Sequence, residues 1–242
     1  MNSQIPKRST GNDTAGRIWG IAMTFVKFGL ILGIFYFVPI VMIKGAERWK
    51  ADSPVFMDEG FLIFITTLTT GGLAGWLTLM FIRQTGVSPT DILYPEAISA
   101  GKLIKWMGVV MILVAVYDGM SIVLGKEIVP NEIQAIFDGA RFPFLLFLSF
   151  VILAPLLEEL VFRGFLLEQL GSVIPDSPWP ILISAFIWAV AHSQYGMYEC
   201  FAIFLMGIVI GEAFIETRSL SVCILMHGVL NLTTIAEIYF LR

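Results

Sequence analysis

Charge is what this sequence is short of. Asp, Glu, Lys and Arg make up 14% of its 242 residues, against about 25% in a typical soluble domain. Hydrophobic residues fill the gap at 57%, and the mean hydropathy is +0.84. That balance excludes an ordinary soluble domain and points to a polytopic, all-α transmembrane helix bundle. Basic runs are scarce too: beyond Pro6-Lys7-Arg8 there is no lysine–arginine cluster, so no nucleic-acid partner is expected. Two cysteines, Cys200 and Cys223, are too few for a disulfide framework or a cysteine-rich metal site. Both lie in apolar stretches and read as small buried hydrophobes. Histidine is equally rare, with His192 and His227 the whole supply. Long hydrophilic runs, low-complexity tracts and internal repeats are also missing, so one membrane-embedded domain over 1–242 is expected.

What is present is a series of apolar runs. A spanning helix needs about 20 mostly apolar residues, and seven runs qualify, with six to eight spans possible: 18–43, 60–82, 104–124, 142–170, 178–193, 199–216 and 219–241. The first is too long for the apolar core of a signal peptide and has no small-residue cleavage site near its end, so it reads as an uncleaved membrane helix. Lys27 within it is expected to snorkel to the nearer interface. Residues 44–59 and 83–103 carry loop charge and turn signals, and 131–141 reads as a short interfacial helix. Lysine and arginine split almost evenly between the two sides, leaning only slightly toward an inward N-terminus. The expected location is the plasma membrane of a prokaryote, in multi-pass form.

The few polar residues inside apolar runs are not spread evenly. The first three spans hold Asp118 beside Tyr117, read as a packing or interfacial group. The C-terminal half holds Glu158, Glu159, Arg163, His192, Glu212, Glu216, His227 and Asn231. Charge at the bilayer centre costs roughly 2.5–3.5 kcal/mol per residue on insertion scales, so the stretch APLLEELVFRGFL (154–166) demands a reason. On a helix, Glu159 and Arg163 are an i,i+4 pair of the favourable acid-first orientation. Glu158 is turned about 100° away and cannot share that partner equally. One acid is then neutralised along the helix, while the other is left to face something else, as a general base would. Pro155 can kink this helix and free backbone groups at depth.

Trp188 lies four residues before His192, on the same face, where it could wall the imidazole. His227 and Asn231 are likewise four apart. A carboxylate, two imidazoles and a carboxamide, drawn from three helices, are the parts that amide hydrolysis requires. Glu212 and Glu216, near Arg218, read either as a solvated helix end or as an acidic lip at a cavity mouth. Tyr195 and Tyr198 read as interface anchors.

EELVFRG (158–164), the W-x-x-x-H of Trp188 to His192 and the H-x-x-x-N of His227 to Asn231 together resemble the motifs of the CAAX protease family, also called Abi. The resemblance covers residues 142–235, which would form the catalytic core. Its second motif usually begins with Phe, where this chain has Trp188, with Phe186 close by. The resemblance implies a glutamate-dependent intramembrane endopeptidase of the CAAX prenyl protease 2 type, acting near the membrane interface. In that reading Glu158 and His192 hold and activate a water, His227 and Asn231 stabilise the oxyanion, and Glu159 and Arg163 form a structural pair. The substrate would be a peptide or lipidated peptide, of CAAX type or related to bacteriocins. No cofactor is expected. Zinc could in principle be held by these residue types, but H-E-x-x-H is absent and the resemblance favours a metal-independent water. Two other classes stay open on the residues alone: a non-enzymatic immunity or peptide-binding protein using the same cavity, and a proton-coupled transporter or channel.

Overall fold

The computed structural model describes residues 14–52, 59–85, 90 and 98–240. Among these, every regular element is helical. They are α1 (Thr14–Asp52), α2 (Glu59–Arg83), α3 (Ala100–Leu124), α4 (Asn131–Gly139), α5 (Pro143–Val173), α6 (Trp179–Ala191), α7 (Met197–Thr217) and α8 (Leu220–Phe240). Six of them (α1, α2, α3, α5, α7 and α8) are long and apolar enough to cross a membrane. The protein is an integral multi-pass membrane protein.

The seventh apolar element, α6, has 13 residues. At 1.5 Å per residue it is on the order of 20 Å long, shorter than a hydrocarbon core of about 30 Å. In the other direction, α1 runs on through residues expected as loop, reaching Asp52. The remainder of the expected loops at 53–58, 86–89 and 91–97, and the basic triplet at 6–8, lie outside the described residues. The interfacial helix expected at 131–141 forms as α4, with Phe137 buried and packed 5.7 Å from Phe150 of α5.

The helices divide by what they face. α1 and α3 turn Trp19, Tyr36, Phe37, Ile104, Ile112 and Val123 outward, as lipid-facing helices do. Lys27 of α1 donates to Gln84 Oε1, just past the end of α2, at 3.0 Å and lies over the Phe81 ring. α5 is the opposite case: every residue from Leu160 to Leu167 is buried. Two stretches of this helix, Ser149–Leu153 and Leu160–Leu167, are π-helical.

The first π stretch ends two residues before Pro155, and the sequence explains it. The ring removes the N–H that residue 155 would contribute. Ala154 N–H bonds the carbonyl of Ser149, five residues back, leaving the Phe150 carbonyl without the residue-155 donor that a continued π pattern would give it. Asn231 of α8 supplies the donor, its Nδ2 lying 2.7 Å from Phe150 O. Gly228, one turn earlier on α8, permits this approach, since a Cβ there would lie 2.9 Å from Val151 O.

Candidate active site

The polar residues of the C-terminal half gather around the inner turn of α5, and the two adjacent glutamates point to different places. Glu159 is fully buried. Its Oε1 accepts from Arg163 Nη1 at 3.0 Å and from His227 Nδ1 at 2.9 Å. Arg163, itself 1% exposed, donates its other arm to the carbonyl of Gly207 on α7 at 3.1 Å. Its guanidinium lies over the Trp188 ring at 4.6 Å. A positive, a negative and an imidazole group thus close on one another, which is how buried charge in apolar surroundings is tolerated.

Glu158 is turned toward α6. Its Oε2 accepts from Trp188 Nε1 at 2.7 Å and lies 3.9 Å from His192 Nε2. The side chains of Glu158 and His192 are 19% and 21% exposed, against 0% for Glu159 and 1% for Arg163, so the first pair is open to a cavity and the second is sealed from it.

Helix termination sets the state of His192. The residue caps the C-terminus of α6 at φ −102°, ψ 20°. Its backbone N–H turns to Ala189 O, so the Trp188 carbonyl lacks the i+4 donor of a continued helix. His192 Nδ1 takes that place at 2.8 Å. A carbonyl only accepts, so Nδ1 carries the proton, and in the neutral ring Nε2, facing Glu158, is an acceptor.

Trp188 sits at the centre of this arrangement. It is 3% exposed, with its ring edge-to-face with both imidazoles, at 5.4 Å from His192 and 5.2 Å from His227. Close packing of α6 on α7 holds it there: a Cβ on Gly207 would meet Ala185 Cβ at 2.9 Å and Trp188 Cε3 at 3.1 Å. Phe186, near in sequence, is 61% exposed and contributes nothing to the wall.

Glu158, Trp188, His192, His227 and Asn231 all line one cavity of 380 Å³. Its remaining wall is mostly apolar, including Leu113, Ile128, Phe201 and Met206, with no Lys or Arg in the lining. Among the described residues, no three His, Cys, Asp or Glu side chains are grouped so as to hold a metal ion.

Several lining residues were given other readings, or none, from sequence. Tyr195 and Tyr198 are not simple interface anchors. Tyr195 stacks on His192 at 6.2 Å, and burial pushes its phenol above the ordinary range. Tyr198 stacks on Tyr117 and lies within hydrogen-bond distance of Ser121. Asp118, Glu199 and Glu237 bring three further carboxyl groups to the lining. Glu237 was legible as the end of a stripe, since His227, Leu230, Thr234 and Glu237 fall three, four and three residues apart on one face of α8. Glu212 and Glu216 lie away from the cavity lining. Glu216 pairs with Lys105 of α3, while Arg218 pairs with Glu168 at 2.6 Å.

Residues 140–233 match the model of the Rce1-like family, described as type II CAAX prenyl endopeptidase Rce1-like. The chain is 27% identical over 231 residues to the membrane-embedded CAAX protease MroQ of Staphylococcus aureus (strain USA300), an alignment covering 89% of this chain and 87% of the relative. It is 33% identical over 122 residues to an uncharacterized 24.3 kDa protein of Escherichia coli, covering 48% of this chain and 56% of that one. No solved structure matches significantly. The matched segment begins just before α5 and ends within α8, taking in every helix that contributes to the cluster around Glu158 and Glu159.

Proposed function

We propose that this chain is an intramembrane endopeptidase in which Glu158 and His192 activate a water without a metal ion. The observation that carries the reading is the convergence of Glu158, His192, His227 and Asn231, from three separate helices, on one cavity. Glu158 Oε2 and His192 Nε2 are 3.9 Å apart, too far for a direct hydrogen bond but suited to a water held by both. His192 Nε2 accepts one water proton and the Glu158 carboxylate the other. As the water oxygen attacks the peptide carbonyl, Glu158 takes its proton and later delivers it to the leaving amine.

The negative charge that develops on the carbonyl oxygen needs donors aimed at it. His227 is backed on Nδ1 by Glu159, so in its doubly protonated form it turns an Nε2–H toward the cavity. Asn231 spends one amide N–H on Phe150 O and has a second to give. The apolar cavity wall suits a hydrophobic or lipidated peptide segment, which supports a CAAX-type or bacteriocin-related substrate. In this reading Glu159 and Arg163 are structural.

The test is Glu158→Gln, assayed in detergent micelles against a farnesylated, internally quenched CAAX-type peptide and a hydrophobic peptide without the lipid. Cleavage is expected to fall by at least about 10²- to 10⁴-fold, the range of a general base, with insertion and monodispersity unchanged, and chelators should leave the parent's rate intact. Parental cleavage by Glu158→Gln would overturn the reading, and a chelator-sensitive parent would overturn its metal-independent form. A protein that only binds its peptide would instead retain binding in this variant and show no cleavage in either.

A further inference from the structure

We propose that Trp188 is a positioning residue for the reaction, acting through its indole N–H on the Glu158 carboxylate. The inference rests on Glu158 being the base and adds a second residue to that role. An indole nitrogen only donates, so the 2.7 Å contact from Trp188 Nε1 to Glu158 Oε2 is a hydrogen bond to an acceptor oxygen. To an ionised carboxylate it is charge-assisted, and such bonds are roughly twice as strong as neutral ones.

The donor is held more firmly than the group it serves. Trp188 has its ring edge-to-face with His192 and His227, its face covered by the Arg163 guanidinium at 4.6 Å, and its edge against Gly207. Glu158 is partly open to the cavity and is a flexible side chain with no other hydrogen bond to a protein donor among the described residues. A rigid donor and a mobile acceptor make a positioning device: the indole selects one carboxylate orientation. The other groups around Glu158 do not duplicate it. His192 of α6 lies 3.9 Å away with an acceptor nitrogen facing it, Tyr195 stacks on that imidazole, and Arg163 and His227 are committed to Glu159. A phenylalanine at position 188 would keep an aromatic wall and offer no donor. The chemistry assigned to Trp188 therefore belongs to its nitrogen rather than to its ring.

Two measurements on the full chain in detergent micelles test this. In the nitrogen-15 indole spectrum, the Trp188 N–H resonance, assigned by its loss in Trp188→Phe, should move with pH in the parent and cease to do so in Glu158→Gln. In cleavage of the farnesylated quenched peptide, Trp188→Phe should lower kcat about 10- to 100-fold, the span of a hydrogen bond to a charged group, with KM unchanged. Benzothienylalanine at position 188 keeps the bicyclic shape and places sulfur where the N–H was, so it should reproduce the loss even where the smaller phenylalanine disturbs packing. A resonance whose pH course is the same in the parent and in Glu158→Gln, or parental kcat with benzothienylalanine, overturns the proposal. If Glu158→Gln cleaves normally, the base assignment itself fails. If that variant is inactive while the benzothienylalanine protein is fully active, only the role of Trp188 falls. Should the parent leave this peptide uncut, the resonance decides alone.

Discussion

Glu158 and Glu159 are consecutive residues of one helix, yet they occupy opposite kinds of surroundings. Around Glu159 the charges close on one another: arginine and imidazole meet the carboxylate's Oε1 at 3.0 and 2.9 Å, Oε2 is buried without a hydrogen-bond partner, and almost nothing is exposed. Around Glu158 there is one firm donor, one imidazole held just out of hydrogen-bond range, and a cavity. The first cluster is built to stay as it is, and the second is built to accept a visitor. Rotation of about 100° per residue is enough to separate the two, and the adjacent pair thus divides stability from chemistry at a spacing of one residue.

That division can be broken from either side. The largest effect is expected from Glu158→Gln, which should remove cleavage while leaving thermal unfolding in detergent close to the parent. Next come the Trp188 variants, with their smaller loss in kcat. Arg163→Met strikes the sealed cluster and should do the reverse of Glu158→Gln. It strands the Glu159 charge in the interior at a cost of about 3–5 kcal/mol, read as a large fall in unfolding temperature with activity lost only because the fold is. Should Arg163→Met instead unfold like the parent and fail only in turnover, the two clusters are one functional unit and the comparison is wrong. Asn231→Leu should cost about 1–3 kcal/mol through the unanswered Phe150 carbonyl and should also slow cleavage. If stability is unchanged and only the rate falls, its oxyanion role outweighs its backbone one. Least affected should be Lys105→Met, which opens an ion pair to Glu216 at a half-exposed position. The expectation there is about 0–1 kcal/mol and an unaltered cleavage rate.

Much of this was legible beforehand, because helical spacing is a reliable ruler. The i,i+4 relation of Glu159 to Arg163, of Trp188 to His192 and of His227 to Asn231 placed each pair on one face, and the scarcity of charge in the apolar runs marked those faces as costly. Contacts between helices were not legible. Nothing in the sequence tells that the indole nitrogen meets Glu158, or that Glu159 draws His227 as well as Arg163, since both depend on how α5, α6 and α8 are laid against each other. Pro155 signals a kink and freed backbone groups at depth, and the Phe150 carbonyl answered by Asn231 is such a group, but spacing alone does not show that the helix widens into π turns on either side of it. The length of α6 was also overestimated, because apolar residues continue to its end while the chain turns at His192 to form the site.

The Phe150 carbonyl has a consequence for how the protein is made. Its donor, Asn231, comes 81 residues later in the chain, so α5 enters the bilayer with a backbone group that no neighbour in its own helix satisfies. In hydrocarbon such a group must be met from within the protein, and the partner that meets it is on the last described helix to be synthesised. Docking of α8 is therefore the step that completes α5, and the same movement delivers His227 to Glu159. The backbone of α5 and the cluster around Glu159 are thus completed by the same helix packing.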